Sequence, residues 1–176
     1  MIFEETPLKG AWLISPELRS DERGLFSRLW CVEEARIREL EDRFVQNSTS
    51  FNKSKGTLRG MHFQRNPHEE IKLVRCTAGT IFDVIVDIRA NSKTFGQWFG
   101  IELSSENRKQ IYIPKGFAHG FQTLEDKSEV YYQITEYYHP ECADGFSYHD
   151  ENINIQWPEK IFNLSEIDKM RPELKF

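Results

Sequence analysis

The chain has 176 residues, of which 39% are hydrophobic, 29% charged and 13% aromatic; this composition excludes a disordered polymer and suits one globular domain, predicted to span residues 1–176. The formal net charge of −5 offers no broad basic field, so no nucleic-acid partner is expected, although a local cluster of Arg and Lys can still hold an anion. Cys31, Cys76 and Cys142 are odd in number and far apart, fitting neither a disulfide framework nor a zinc ribbon, and read as reduced thiols. Glu4, Glu5 and Lys9 interrupt any signal peptide, and no apolar run nears the roughly 20 residues of a membrane span, so a cytoplasmic location without membrane contact is expected.

In chain order, the apolar, aromatic segment around Phe3, Trp12 and Leu13 permits an edge strand, including one swapped between two copies. Residues 32–44 place Val32, Ala35, Ile37, Leu40 and Phe44 among Glu and Arg at near-helical spacing, which predicts a surface helix. The period then changes. A strand is predicted through His62-Phe63-Gln64, followed by strands over residues 71–76, 80–89, 97–103, 110–113, 118–124 and 129–137. All are rich in Val, Ile, Phe and Tyr and are separated by turns such as Ala78-Gly79, Asn91-Ser92 and Pro114-Lys115-Gly116. Beyond Trp157-Pro158, a loop and a short helix at residues 164–168 are expected. The predicted class is mainly β, a sandwich or jelly roll with a few short peripheral helices and room for a small ligand between its sheets.

Leu58-Arg59-Gly60-Met61-His62-Phe63-Gln64, with Lys72 on the next strand, is the most informative stretch. Arg59 and Lys72 suit an anion such as a diphosphate. Lys72 equally suits an oxyanion formed beside a carbonyl, and His62 offers an imidazole, the side chain most often used as a general base. Spacing alone allows a blander reading, a half-buried core histidine with two solvated cations. If the strand at 129–137 stays regular, Tyr132 and Tyr138 share a face; such tyrosines donate protons or stack on a base, but they also pack sheets. Asp168 follows Ser165 by three residues, the spacing of a helix capping box.

Pro114-Lys115-Gly116-Phe117-Ala118-His119 has the P-x-G-x-x-H form that in cupins aims a His into the barrel. Metal-binding cupins add two alternate His and a Glu from an earlier strand. His62-Phe63-Gln64 supplies one His and a Gln, a poor set even with Glu69 or Glu70 nearby. Together with Asp21 to Phe26, Phe44-Val45-Gln46, Phe82 to Arg89, Ser92 to Gly96, Tyr137-Tyr138 and Leu164-Ser165-Glu166, these segments resemble, in order along nearly the whole chain, the dTDP-4-dehydrorhamnose 3,5-epimerase family.

The resemblance implies a cupin-type double-stranded β-helix without metal or cofactor. It would act as a homodimer on a nucleoside-diphosphate-linked 4-keto-6-deoxyhexose, inverting carbon 3, carbon 5 or both through an enolate. It casts His62 as the base, Asp168 as its orienting carboxylate, Tyr132 as the acid on the opposite face and Lys72 as the holder of the enolate oxygen. Arg59 and His119 would bind sugar or phosphate, and Arg23, Phe26, Gln46 and Tyr138 the nucleotide. The family pattern is departed from at Arg28 (usually Glu), Ser48 (usually Asn), Ala143 (near a usual Glu) and Ile167 (usually Lys). Arg28 and Ser48 would then shape the nucleotide pocket differently, because a fixed guanidinium donates where a carboxylate accepts. The competing readings are a cupin that binds a sugar or nucleotide without turnover, against which the full set of His62, Asp168, Tyr132 and Lys72 speaks, and a sugar 3,4-ketoisomerase.

Overall fold

The computed structural model describes residues 1–175. Its strands are β1 (Ile2–Glu5), β2 (Trp12–Ser15), β3 (Arg19–Asp21), β4 (Gly24–Phe26), β5 (Gln46–Asn52), β6 (Leu58–Gln64), β7 (Lys72–Ala78), β8 (Thr80–Asp87), β9 (Trp98–Ser104), β10 (Gln110–Ile113), β11 (Phe117–Thr123), β12 (Ser128–Ile134) and β13 (Ala143–Gly145); the helices are α1 (Val32–Arg36) and α2 (Glu166–Lys169). A six-stranded sheet runs β1-β2-β10-β7-β12-β5 and a five-stranded sheet β13-β6-β11-β8-β9, with every pairing antiparallel. This is the mainly β, two-sheet jelly roll that the strand spacing predicts.

The side-chain pattern explains the layering. Val74 and Cys76 of β7, Ile81 and Ile85 of β8, Ile111 and Ile113 of β10, Phe121 of β11 and Val130 of β12 form the core between the sheets. Alternate residues point the other way. Met61, Val84, Val86 and Ala118 pack under Phe146, Ile153, Ile155 and Trp157 of the C-terminal segment, while Ile14, Leu73 and Tyr112 pack under Trp30, Leu40 and Phe44. The five-stranded sheet is covered on both faces at β8, which is why that strand reads as an almost unbroken apolar run, Thr80-Ile81-Phe82-Asp83-Val84-Ile85-Val86-Asp87. Two carboxylates interrupt it, Asp83 on the inward face and Asp87 at its end.

The helix expected over residues 32–44 is corrected to the five residues of α1. Cys31 gives it no side-chain cap, Glu39 adopts φ 57°, and Ile37 is 79% exposed. The apolar spacing there serves an irregular strap laid over the six-stranded sheet. The strand expected to reach residue 137 ends at Ile134, where the Thr135 amide donates to the Ile71 carbonyl, so Tyr138 does not lie on the strand of Tyr132. The expectation that His62 and Lys72 sit on adjacent strands is likewise corrected: β6 and β7 belong to different, facing sheets. No helix among the described residues is long and apolar enough to cross a membrane.

Candidate active site

Between the sheets, beside the apolar core, lies a cleft of about 730 Å³. Its walls follow from strand register. Residues directly opposite on paired strands share a face, so Lys72, which pairs with Ile134, and Ser48, which pairs with Tyr132, point inward with them. On the facing sheet His62 pairs with His119 and Arg59 with Phe121 across a bulge in β11–β6. Without that bulge, residues 59 and 62, three apart, would face opposite sides; the irregularity turns both inward. Gly60 makes it possible: its φ is 139°, and a Cβ added there would sit 2.6 Å from the Gly120 Cα.

Asp168 reaches His62 from 106 residues away because the tail is tied to the start of β6. Thr57 bridges to Asn163, and the Leu58 amide donates to the Asn163 carbonyl at 2.9 Å. Ser165 Oγ then accepts from the Asp168 amide at 3.1 Å, capping α2. This is the forward half of the capping box anticipated from the spacing. The carboxylate that would complete the box turns instead to His62, with Oδ1 2.6 Å from Nε2. His62 is 42% exposed and Asp168 6%. Burial pushes the Asp168 carboxyl up; the His62 hydrogen bond and charge, the Ser165 hydroxyl and the Gly60 amide outweigh it and hold the group below its ordinary value. A carboxylate only accepts, so Nε2–H donates and, in the neutral ring, Nδ1 carries the lone pair.

Opposite stands Tyr132. Burial above all, with the Asp83 carboxylate adding to it and Arg59 opposing, raises its phenol far above the ordinary range, so it stays protonated at any physiological pH. Its ring meets His119 edge-on at 6.0 Å across the gap, and His119 Nε2 lies 2.8 Å from Asp83 Oδ2. Lys72 Nζ is 2.8 Å from Glu70 Oε1, and Glu70 also accepts from Gln64 Nε2. Arg59 Nε donates to Asn52 Oδ1 at 2.8 Å, while Asn52, buried, donates to the Ser50 and Ser128 carbonyls. Each cation is thus aimed by a partner, leaving Arg59 further N–H donors in a fixed fork.

Of the residues singled out in the sequence, His62, Asp168, Tyr132, Lys72, Arg59, His119, Ser48 and Tyr138 line this cleft, as do Ala143 and Ile167. Tyr138 arrives from the segment after β12 instead of from the strand. Gln46 lies at the end of β5 opposite Ile134 and is not among the lining residues. Neither are Arg23, Phe26 and Arg28: the first two lie on the β3–β4 hairpin, which among the described residues pairs only with itself, with Phe26 71% exposed and Arg23 held by Asp21, and Arg28 lies 3.8 Å from Glu34. Sequence reading assigned no role to Asn52, Asp83 or Arg171, and weighed Glu70 only as a metal ligand. Asp83 carried a usable signal, a carboxylate in the middle of an apolar strand. Arg171, a cleft cation bonded to Asp144, carried none.

A family model described as dTDP-4-dehydrorhamnose 3,5-epimerase matches residues 5–175. A curated relative of that name from Methanothermobacter thermautotrophicus is 47% identical over 172 residues, covering 95% of this chain and 91% of its own. The crystal structure of a dTDP-4-dehydrorhamnose 3,5-epimerase from Bacillus anthracis, with TDP and PPi bound, matches with a TM-score of 0.95 at 39% identity, covering 98% of this chain and 99% of that one. A dTDP-6-deoxy-D-glucose-3,5-epimerase from Legionella pneumophila, in complex with dTDP-4-keto-L-rhamnose, matches with a TM-score of 0.91 at 40% identity, covering 98% and 92%.

Proposed function

The chain belongs to the dTDP-4-dehydrorhamnose 3,5-epimerase family, and from that premise we propose that it inverts carbon 3, carbon 5 or both of a 4-keto-6-deoxyhexose carried on a nucleoside diphosphate. The 4-ketone acidifies the hydrogens on both neighbouring carbons. His62 Nδ1 takes one of them, and the electron pair moves onto the ketone oxygen as an enolate, which the Lys72 ammonium stabilises. Tyr132 then gives its phenolic proton to the same carbon from the other face, and the configuration inverts. The proton on His62 and the vacancy on Tyr132 exchange with solvent, so the net change is an isomerisation with no redox step.

One observation carries this reading. The oriented imidazole of His62 and the protonated phenol of Tyr132 stand on facing sheets with the cleft between them, an arrangement suited to removing a proton from one face of a ring and returning it to the other. Arg59 and His119 would hold sugar or phosphate, and Ser48 and Tyr138 at the cleft wall the nucleoside. The binding roles of Arg23, Phe26 and Arg28 require a second copy, because within one chain their hairpin and its exit do not reach the cleft. A homodimer in which each hairpin crosses to its partner would supply them. Thymidine is the default base, and Arg28, Ser48, Ala143 and Ile167 are where a different preference would arise.

The test is solvent exchange. The protein is incubated in deuterium oxide with 4-keto-6-deoxyhexoses on thymidine, cytidine and guanosine diphosphates, and carbons 3 and 5 are followed by mass spectrometry and NMR. Deuterium at both carbons with inversion supports the double epimerase, deuterium at one a mono-epimerase, and none with any nucleotide refutes the enzyme.

A further inference from the structure

Outside the cleft, the connection between β6 and β7 and the segment after β12 bring together His68, Glu136 and His139, with Glu141 and Cys142 beside them. One ligand atom from each of His68, Glu136 and His139 lies within 4.8 Å of the others. The two imidazoles are stacked, with centroids 3.4 Å apart and planes 13° from parallel. Carboxylates flank them: His68 Nδ1 is 3.8 Å from Glu136 Oε2, and His139 Nδ1 is 3.1 Å from Glu141 Oε1.

A buried side chain, Gln64, helps hold the backbone that presents these rings. Gln64 Nε2 donates to the carbonyls of His68 and Tyr137, each at 3.1 Å, and Gln64 Oε1 accepts from the His139 amide at 2.7 Å. The two segments are therefore fixed to each other from beneath, while the side chains above stay partly exposed.

We propose that His68, His139 and Glu136 form a site for a divalent d-block cation, Zn²⁺ foremost. Two imidazole nitrogens and one carboxylate oxygen are the donor types that bind zinc tightly and leave a fourth position for water, whereas calcium and magnesium select oxygen alone. Zinc–ligand bonds of about 2.0–2.2 Å put tetrahedral ligand atoms roughly 3.3 Å apart, so side-chain rotation of an ångström or so on these surface segments closes the present spacing.

The ion would take no part in proton transfer, since neither His68 nor His139 lines the cleft. Its effect would be structural. It would clasp the β6–β7 connection to the segment that carries Tyr138, between two of its own ligands, to the cleft wall.

Tag-free protein stripped with chelator is titrated with zinc chloride by calorimetry and with cobalt chloride by visible absorption. The expected result is one equivalent bound with a Kd on the order of micromolar or tighter, cobalt d–d bands without a thiolate charge-transfer band, and a melting temperature raised by zinc. The double variant His68→Ala/His139→Ala, checked by circular dichroism, should bind at least about tenfold more weakly. Crystals soaked in zinc chloride give a readout without any variant, an anomalous peak at the two imidazoles. No stoichiometric binding, undiminished binding in the folded double variant, an anomalous peak at His62 instead, or a thiolate band placing the ion on His68, Glu141 and Cys142 would each overturn the assignment. None of these readouts depends on turnover, so the epimerase reading stands or falls separately.

Discussion

The His62 ring gains its direction from Asp168, and the Tyr132 hydroxyl carries a proton that its surroundings help it hold; both conditions can be broken singly. Asp168→Asn replaces an acceptor with a group that also donates, so the tautomer with the lone pair on Nδ1 loses its preference. The expected result is a loss of kcat of about 10² to 10⁴ with nucleotide affinity little changed, as for a general base left without its orienting group. Equal losses in kcat and in nucleotide binding would instead mark Asp168 as a folding residue. Tyr132→Phe preserves the edge contact with His119 and removes only the hydroxyl. His62 can still take a proton and return it to the same face. Substrate recovered from deuterium oxide should therefore keep gaining label while inverted product falls by about 10² or more. Exchange and inversion falling in parallel would deny Tyr132 its role on the opposite face.

At the scale of elements, α2 is a single turn, too short to hold its own shape; Ser165 caps it, and ties on both sides seat it, the Asn163 tether to β6 before it and the bonds of Arg171 and Leu174 to Asp144 and Asp150 after it. Ser165→Ala removes both the acceptor for the Asp168 amide and the hydroxyl that helps hold the Asp168 carboxyl down. A loss of stability near 1 kcal/mol is expected, along with a several-fold fall in kcat at nearly constant KM, restored by Ser165→Thr. Unchanged kcat in Ser165→Ala would mean that the ties on either side of α2 seat the carboxylate without the cap. The bulge in β6 is equally economical, because one local change of parity brings Arg59 and His62 to a common face without moving either strand.

For the whole molecule, two expectations concern assembly and pH. If the β3–β4 hairpin completes a partner's cleft, Phe26→Ala should raise KM for the nucleotide sugar roughly tenfold or more while kcat stays close to the parent value; light scattering on the same variant checks that it remains a dimer. A monomeric parent protein would remove the proposed role of the hairpin. The pH expectation rests on Asp87 at the end of β8. Burial pushes its carboxyl up, but hydrogen bonds from Arg89, Ser92 and Thr94 prevail and hold it at about 2, against 3.8 ordinarily. The folded-state value is depressed, so this contribution to stability is fully present above about pH 4 and is lost as pH falls through about 2. Denaturant melts over that range should fall more steeply for the parent than for Asp87→Asn, which should already be weaker at pH 7. Parallel curves would mean that the Arg89 cluster contributes nothing to acid stability.

The sequence by itself determined the strands β6 to β12 to within a few residues, since side-chain alternation and turn residues act locally, but it did not show β13, three residues with no alternation of their own. The chemical types expected at the cleft came from the family resemblance, because the local patterns around His62, Lys72, Tyr132 and Asp168 fit core, solvated, sheet-packing and capping residues equally well. Tertiary structure alone decided which of these residues meet. His62 and Lys72, ten residues apart, face each other from two sheets, and His62 and Asp168, over a hundred apart, share a hydrogen bond. Apolar spacing at residues 32–44 suggested a helix because a strap packed on a sheet and a helix packed on a sheet both bury residues on one side. The inward turn of Arg59 depends on a bulge whose cause, the close approach of Gly60 to Gly120, lies on a neighbouring strand. Such pairings are set by contacts between distant parts of the chain, and local sequence does not encode them singly.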